Sequence, residues 1–186
     1  TKACEKNALN MEREIIPATL NNVQCLLVAK TIKPLILKKD FYNRPYLNVD
    51  ADEETRFRMH FFAVAICHQT HNLYHPGLKI YGWDFIEHVF VKLAELNDLL
   101  LNPDYLRAAS LSKIGKKLET AFSHNETFDN CSLDRLDERA KLMKDAATFI
   151  HHAFNGKISE LFKQSNNTLI SAQVGLYASL SQMEAF

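Results

Sequence analysis

The residues with chemistry to offer in this chain crowd into one stretch, from His60 through Cys67, His68, Gln69, Thr70, His71, Asn72 and Tyr74 to His75-Pro76. His68, His71 and His75 are spaced three and four apart, so on a helix they would share one face. Imidazoles at that spacing can bind zinc or another transition metal. No carboxylate joins them at matching spacing. The plainer expectation is a His-rich, polar helix end, with neither metal nor cofactor. Gln69, Thr70 and Asn72 mark the place where a strongly apolar segment turns polar, and Tyr74 and Tyr81-Gly82-Trp83 follow closely. Amides beside aromatics suit a small planar ligand, because rings stack on it and amides read its edge. The same residues also suit simple packing, with Trp and Tyr at helix ends turning their polar tips to water. Gln69, Asn72, Tyr74 and Trp83 are therefore the candidate ligand-binding set. Glycine-rich phosphate loops, HExxH, paired zinc knuckles and G-x-S-x-G are absent.

Two helices must position that set. Asp50 and Glu53 have capping-box spacing, and Asp52, Glu53 and Glu54 suit the positive end of a helix. The helix that follows carries Phe57, Phe61, Val64, Ala65 and His68 at helical spacing, and Pro76-Gly77 are expected to stop it. A second runs from Trp83 to about Leu100 on a stripe of Phe85, Ile86, Val89, Phe90, Leu93 and Leu96. Antiparallel packing of the two would form a concave site at their junction.

The rest of the chain is helical too. Asn102-Pro103-Asp104 reads as cap and first turn of a short helix through Ala109. Another helix begins near Ser110 and ends before the polar stretch Ser123 to Asn130, a loop. The clearest pattern is Leu133, Leu136, Ala140, Met143, Ala147, Ile150 and Phe154, one long helix closed by Asn155-Gly156. Two more follow, Lys157 to Lys163 and about Thr168 to Phe186. Ahead of all these lies a helical stretch from about Met11 to Leu37, broken at Pro17 and Pro34. No segment alternates with period two. The expectation is one all-α, compact multi-helix domain over 1–186, with about six to eight helices.

Bulk properties narrow the function classes. Lys plus Arg equals Asp plus Glu, 22 each, so no global basic field gathers nucleic acid. Lys113, Lys116 and Lys117 form the one dense basic cluster and read as a solvated helix face. His151-His152 fall off the apolar seam of the long helix. Cys4, Cys25, Cys67 and Cys131 show no CxxC spacing and suit a reducing cytoplasm. The triplets at Asn125, Asn130 and Asn166 match glycosylation acceptors, but such matches are common by chance. No apolar run is long enough to span a bilayer, so no membrane partner is expected. The chain opens on Thr1 without Met, and nothing stops its last helix at Phe186, which suggests a piece of something longer.

From about Asn48 to Phe186 the chain resembles the queuosine-salvage glycosylases, a helical family related to helix-hairpin-helix DNA glycosylases. The resemblance rests on Thr70-His-Asn72-Leu-Tyr74 after an apolar helix and on Tyr81-Gly82-Trp83 opening the next. It continues through Leu101-Asn-Pro-Asp-Tyr105-Leu106, then Leu136-Asp-Glu-Arg139 leading to Phe154-Asn-Gly156. It implies a DNA-glycosylase-like fold and a modified base or nucleoside, with nucleic acid as a possible carrier, bound near Gln69–Trp83. The implied activity is hydrolysis of an N-glycosidic bond. Gln69 stands where the family has an acidic residue, and Tyr74-His75 where it has Phe-Trp, so the substrate is not carried over. The family's catalytic aspartate lies C-terminal to the matched region, with no counterpart before Phe186; the catalytic residue is unassigned. From a different class, the rival expectation is a non-catalytic helical protein-interaction module.

Overall fold

The structure, a computed structural model, describes residues 23, 26, 27, 30, 44, 46, 48–123, 131–165 and 175–186. The chain divides into two compact units, Thr1–Tyr42 and Asn43–Phe186. In the first, Val23, Leu26, Leu27 and Lys30 are helical and exposed. Pro17 and Pro34, expected to break that stretch, lie outside the described residues, as do Cys4, Cys25 and the three acceptor asparagines.

In the second unit, helix α1 (Glu53–Ala65) starts two residues later than the capping-box reading placed it. Asp52, not Asp50, is the cap: its carboxylate accepts from the Thr55 amide at 3.0 Å and from the Thr55 hydroxyl. The buried face matches the expected one at Phe61 and Ala65 and departs from it elsewhere. Met59, Phe62 and Ile66 go fully inside, whereas Val64 stays 43% exposed. Phe61 to Cys67 is apolar almost all round, so its spacing cannot say which side meets the core.

Helix α1 ends at Ala65 instead of continuing to Pro76-Gly77. Those two residues lie in the turn of a small hairpin, in which β1 (Tyr74–His75) pairs antiparallel with β2 (Ile80–Tyr81). Helix α2 (Gly82–Glu95) follows at once and buries Phe85, Ile86, Val89, Phe90 and Leu93. Gly82 has φ +50, the left-handed region where glycine pays no steric cost. Leu96 falls beyond the helix and is 78% exposed, so it does not extend the apolar stripe.

Asp98 then caps a 3₁₀ turn, Leu99–Leu101. The Asn102 side chain accepts from the amides of Asp104 and Tyr105 at 2.9 and 3.3 Å, opening α3 (Pro103–Ala108). Ser110 caps α4 (Leu111–Ala121). Helix α5 (Leu136–Phe154) buries Ala140, Met143, Ala147, Ile150 and Phe154, and packs against α1, α3 and α4. It ends on two left-handed residues, Asn155 (φ 52) and Gly156 (φ 75), which take the chain straight into α6 (Ile158–Gln164).

Lys157, at the start of α6, makes no side-chain cap bond. Glu54 of α1 supplies the cap from 104 residues away: its two carboxylate oxygens accept from Ile158 N at 2.7 Å and Ser159 N at 3.1 Å. The last element is short, α7 (Leu176–Leu180), followed by turns to Phe186 rather than a continuous helix. The class is all-α, with seven α-helices and one two-stranded ladder among the described residues of the Asn43–Phe186 unit.

Candidate functional site

The α1–α2 junction, residues 66–83, is built by the segment that opens α5. Arg139 is fully buried. Its guanidinium donates to the carbonyls of Ile66 and of His68 (3.0 Å), and to the Asp134 carbonyl and carboxylate, both at 2.8 Å. The carbonyl of Ile66, one of those freed where α1 stops, is thereby paired, as is that of His68 in the next turn. The Arg139 bond also holds the Asp134 carboxyl below its usual range.

Arg135, itself left-handed at φ 53, reaches the Gln69 side-chain oxygen and pairs with Glu138 at 2.7 Å. Gln69 is left-handed as well, at φ 52. The Ser132 hydroxyl accepts from Tyr74 N at 3.2 Å and donates to Tyr74 O at 2.9 Å. Leu73, almost wholly buried, anchors the middle of the segment. Non-glycine residues adopt the left-handed region at a cost of about 1 kcal/mol or more, and only where surroundings impose it. Gln69 and Arg135 are linked side chain to side chain, and Lys79 (φ 55) adds a third in the hairpin turn.

This scaffold presents Gln69, His71 and Asn72 to solvent. Beside them Tyr74 and Tyr81 stack, ring centroids 4.4 Å apart and 23° between planes. Tyr81 is 62% exposed, leaving ring surface open. The hydroxyl contact with Tyr81 pushes the Tyr74 phenol up from its ordinary range. The junction therefore offers amide groups on the same segment as a ring face, and Arg139, Arg135 and Ser132 tie that segment down. Asp134 and Glu138, the carboxylates of this region, are each engaged by an arginine.

Trp83 lies elsewhere. It lines a crevice of about 10 Å³, room for one water, with Tyr46, His60 and Glu87. Glu87 is buried and held by Arg44, with contacts of 2.9 Å from Nε and 2.7 Å from Nη2; Arg44 also reaches Asp84. Burial pushes the His60 imidazole below its ordinary value, against the pull of Glu87. Of the four expected ligand residues, Gln69, Asn72 and Tyr74 thus share the junction segment, while the Trp83 side chain packs into this neighbouring crevice.

The shared histidine face does not form. With α1 ending at Ala65, His68 and His71 fall in turns and His75 on β1, so their three-and-four spacing loses its meaning. His75 Nδ1 accepts from Leu78 N at 3.1 Å. Burial, then the charges of Arg139 and Arg135, lower the His68 pKa. No group of three or more His, Cys, Asp or Glu among the described residues is placed to hold a metal ion. In the basic cluster, Lys113 and Lys116 are exposed and Lys117 pairs with Asp98 at 3.1 Å.

Arg139, Arg135, Ser132 and Glu87 are the site residues that the sequence reading passed over. A signal existed for one: Arg139 falls on the apolar seam, three after Leu136 and four before Met143, where a charge demands a partner. No helix among the described residues is long and apolar enough to cross a membrane. Comparison with protein-family models, curated proteins and solved structures finds no match.

Proposed function

We propose that the Asn43–Phe186 unit binds a modified base or nucleoside at the α1–α2 junction, as the binding part of an N-glycosylase-like protein. The observation that carries this reading is the junction itself. A buried arginine and two left-handed residues hold a segment whose exposed groups include the Gln69 and Asn72 amides and the Tyr81 ring of a stacked tyrosine pair. A planar heterocycle fits both halves: Tyr81 offers a face for stacking, Asn72 offers a donor and an acceptor for a ring edge, and Gln69, its oxygen held by Arg135, offers its amide N–H. The order of motifs shared with queuosine-salvage glycosylases points the same way. Hydrolysis needs a carboxylate to stabilise oxocarbenium-like charge and activate water. That group is assigned outside the junction, because Asp134 and Glu138 are bound to arginines.

Calorimetric titration with queuine, queuosine and purine nucleosides tests the proposal. One of them binds, and Asn72→Ala weakens it about tenfold, the loss expected for one polar contact. Absence of binding by all of them, with the chain folded, contradicts the reading. The protein-interaction alternative draws on a separate observation, the exposed apolar surface of Tyr81 and Leu78 on the hairpin. It gains if Tyr81→Ser abolishes capture of a protein partner while the nucleoside titrations stay flat.

A further inference from the structure

A second cavity, of about 200 Å³, lies between α1, α6 and α7. Phe57 and Phe162 close part of it as a tilted pair with centroids 5.0 Å apart, and Phe61 and Phe186 as another at 5.1 Å. Leu161 and Leu180 complete much of the wall. His60 lines it too, but no polar surface faces the cavity, so the imidazole contributes carbon only. That ring instead meets Tyr46 edge-on at 5.0 Å. Val64 and Phe186, 43% and 39% exposed, mark where the cavity meets solvent.

We infer that this cavity is a binding site for a small, uncharged apolar ring compound of one or two fused rings, separate from the junction. Size sets the upper limit, since pockets for drug-sized ligands start at about 300 Å³ and this one is smaller. Chemistry sets the class. A hydrogen-bonding atom pressed against this wall loses its water and finds no replacement, which disfavours a ribose or an ordinary nucleobase. An apolar guest seated against this wall covers phenylalanine and leucine surface that otherwise faces water, and adds dispersion contacts with it. The tilted phenylalanine pairs suit an aromatic guest in offset or edge-on contact. The two sites thus select opposite chemistries, polar edge at the junction and bare ring here.

Naphthalene, toluene and guanosine, each titrated into the whole chain by ligand-observed NMR, provide the test. Naphthalene and toluene bind and raise the melting temperature, guanosine does not displace them, and Leu180→Trp, which fills the cavity, weakens naphthalene at least tenfold. Val64→Phe at the rim is the second variant and also weakens naphthalene, should Leu180→Trp fail to fold. The inference is overturned if neither hydrocarbon binds, if guanosine displaces them, or if a folded Leu180→Trp protein binds naphthalene as before. Concentration-dependent self-association that Val64→Glu abolishes also overturns it, by assigning the face to a second copy. A flat nucleoside titration leaves this site standing, and a failure here leaves the junction standing.

Discussion

At the scale of single residues, Arg139 decides more than any other side chain. A buried guanidinium is costly unless its donors are used, and here four of the five N–H groups go to the carbonyls of Ile66, His68 and Asp134 and to the Asp134 carboxylate. The Ile66 and His68 carbonyls belong to the end of α1 and the start of the junction, so one side chain of α5 ties both in place. Arg139→Met keeps much of the volume but leaves them unpaired. Urea unfolding is expected to show a loss of about 2 kcal/mol, with faster amide exchange across the junction. An unchanged midpoint and unchanged exchange contradict this role. Spacing alone puts Arg139 on the core seam, but it does not say what lies opposite. The partner carbonyls at Ile66 and His68 lie 73 and 71 residues away, beyond what the spacing along one helix can reveal.

At the scale of elements, what was legible is what local chemistry decides. Asn102 before Pro103, Ser110 before α4 and Asn155-Gly156 after α5 each carry their own start or stop signal, and each boundary falls there. The end of α1 has no such signal. The apolar run through Cys67 shows neither cap nor breaker, and the terminating contact comes from α5, beyond the reach of a window on the sequence. Pro76-Gly77 looked like a helix stop because a turn signal does not say which element precedes it. For the candidate site, the residue types around Gln69, Asn72 and Tyr74 were legible, while the loop geometry and the turning away of Trp83 depended on tertiary contacts.

The start of α6 carries the same lesson, since its cap is the distant Glu54. Glu54→Gln keeps the shape but removes the charge that favours the positive end of α6. It is expected to lower stability by about 1 kcal/mol in urea unfolding. A midpoint equal to that of the unaltered chain contradicts the capping role.

At the scale of the whole Asn43–Phe186 unit, α5 serves as a spine: its first turn pins the α1–α2 junction, and its far end delivers α6 to the wall of the apolar cavity. The all-α class follows from the spacing of apolar residues and needs no ligand to explain it. The central claim is that the junction is a binding site for a planar heterocycle. Backbone amide NMR of the whole chain, titrated with queuine and with purine nucleosides, tests it most directly. Saturable shifts concentrated at Gln69, Asn72, Tyr74 and Tyr81, and lost in Asn72→Ala, are expected. Shifts centred on Phe57, Phe162 and Phe186, or none at saturating ligand, contradict it.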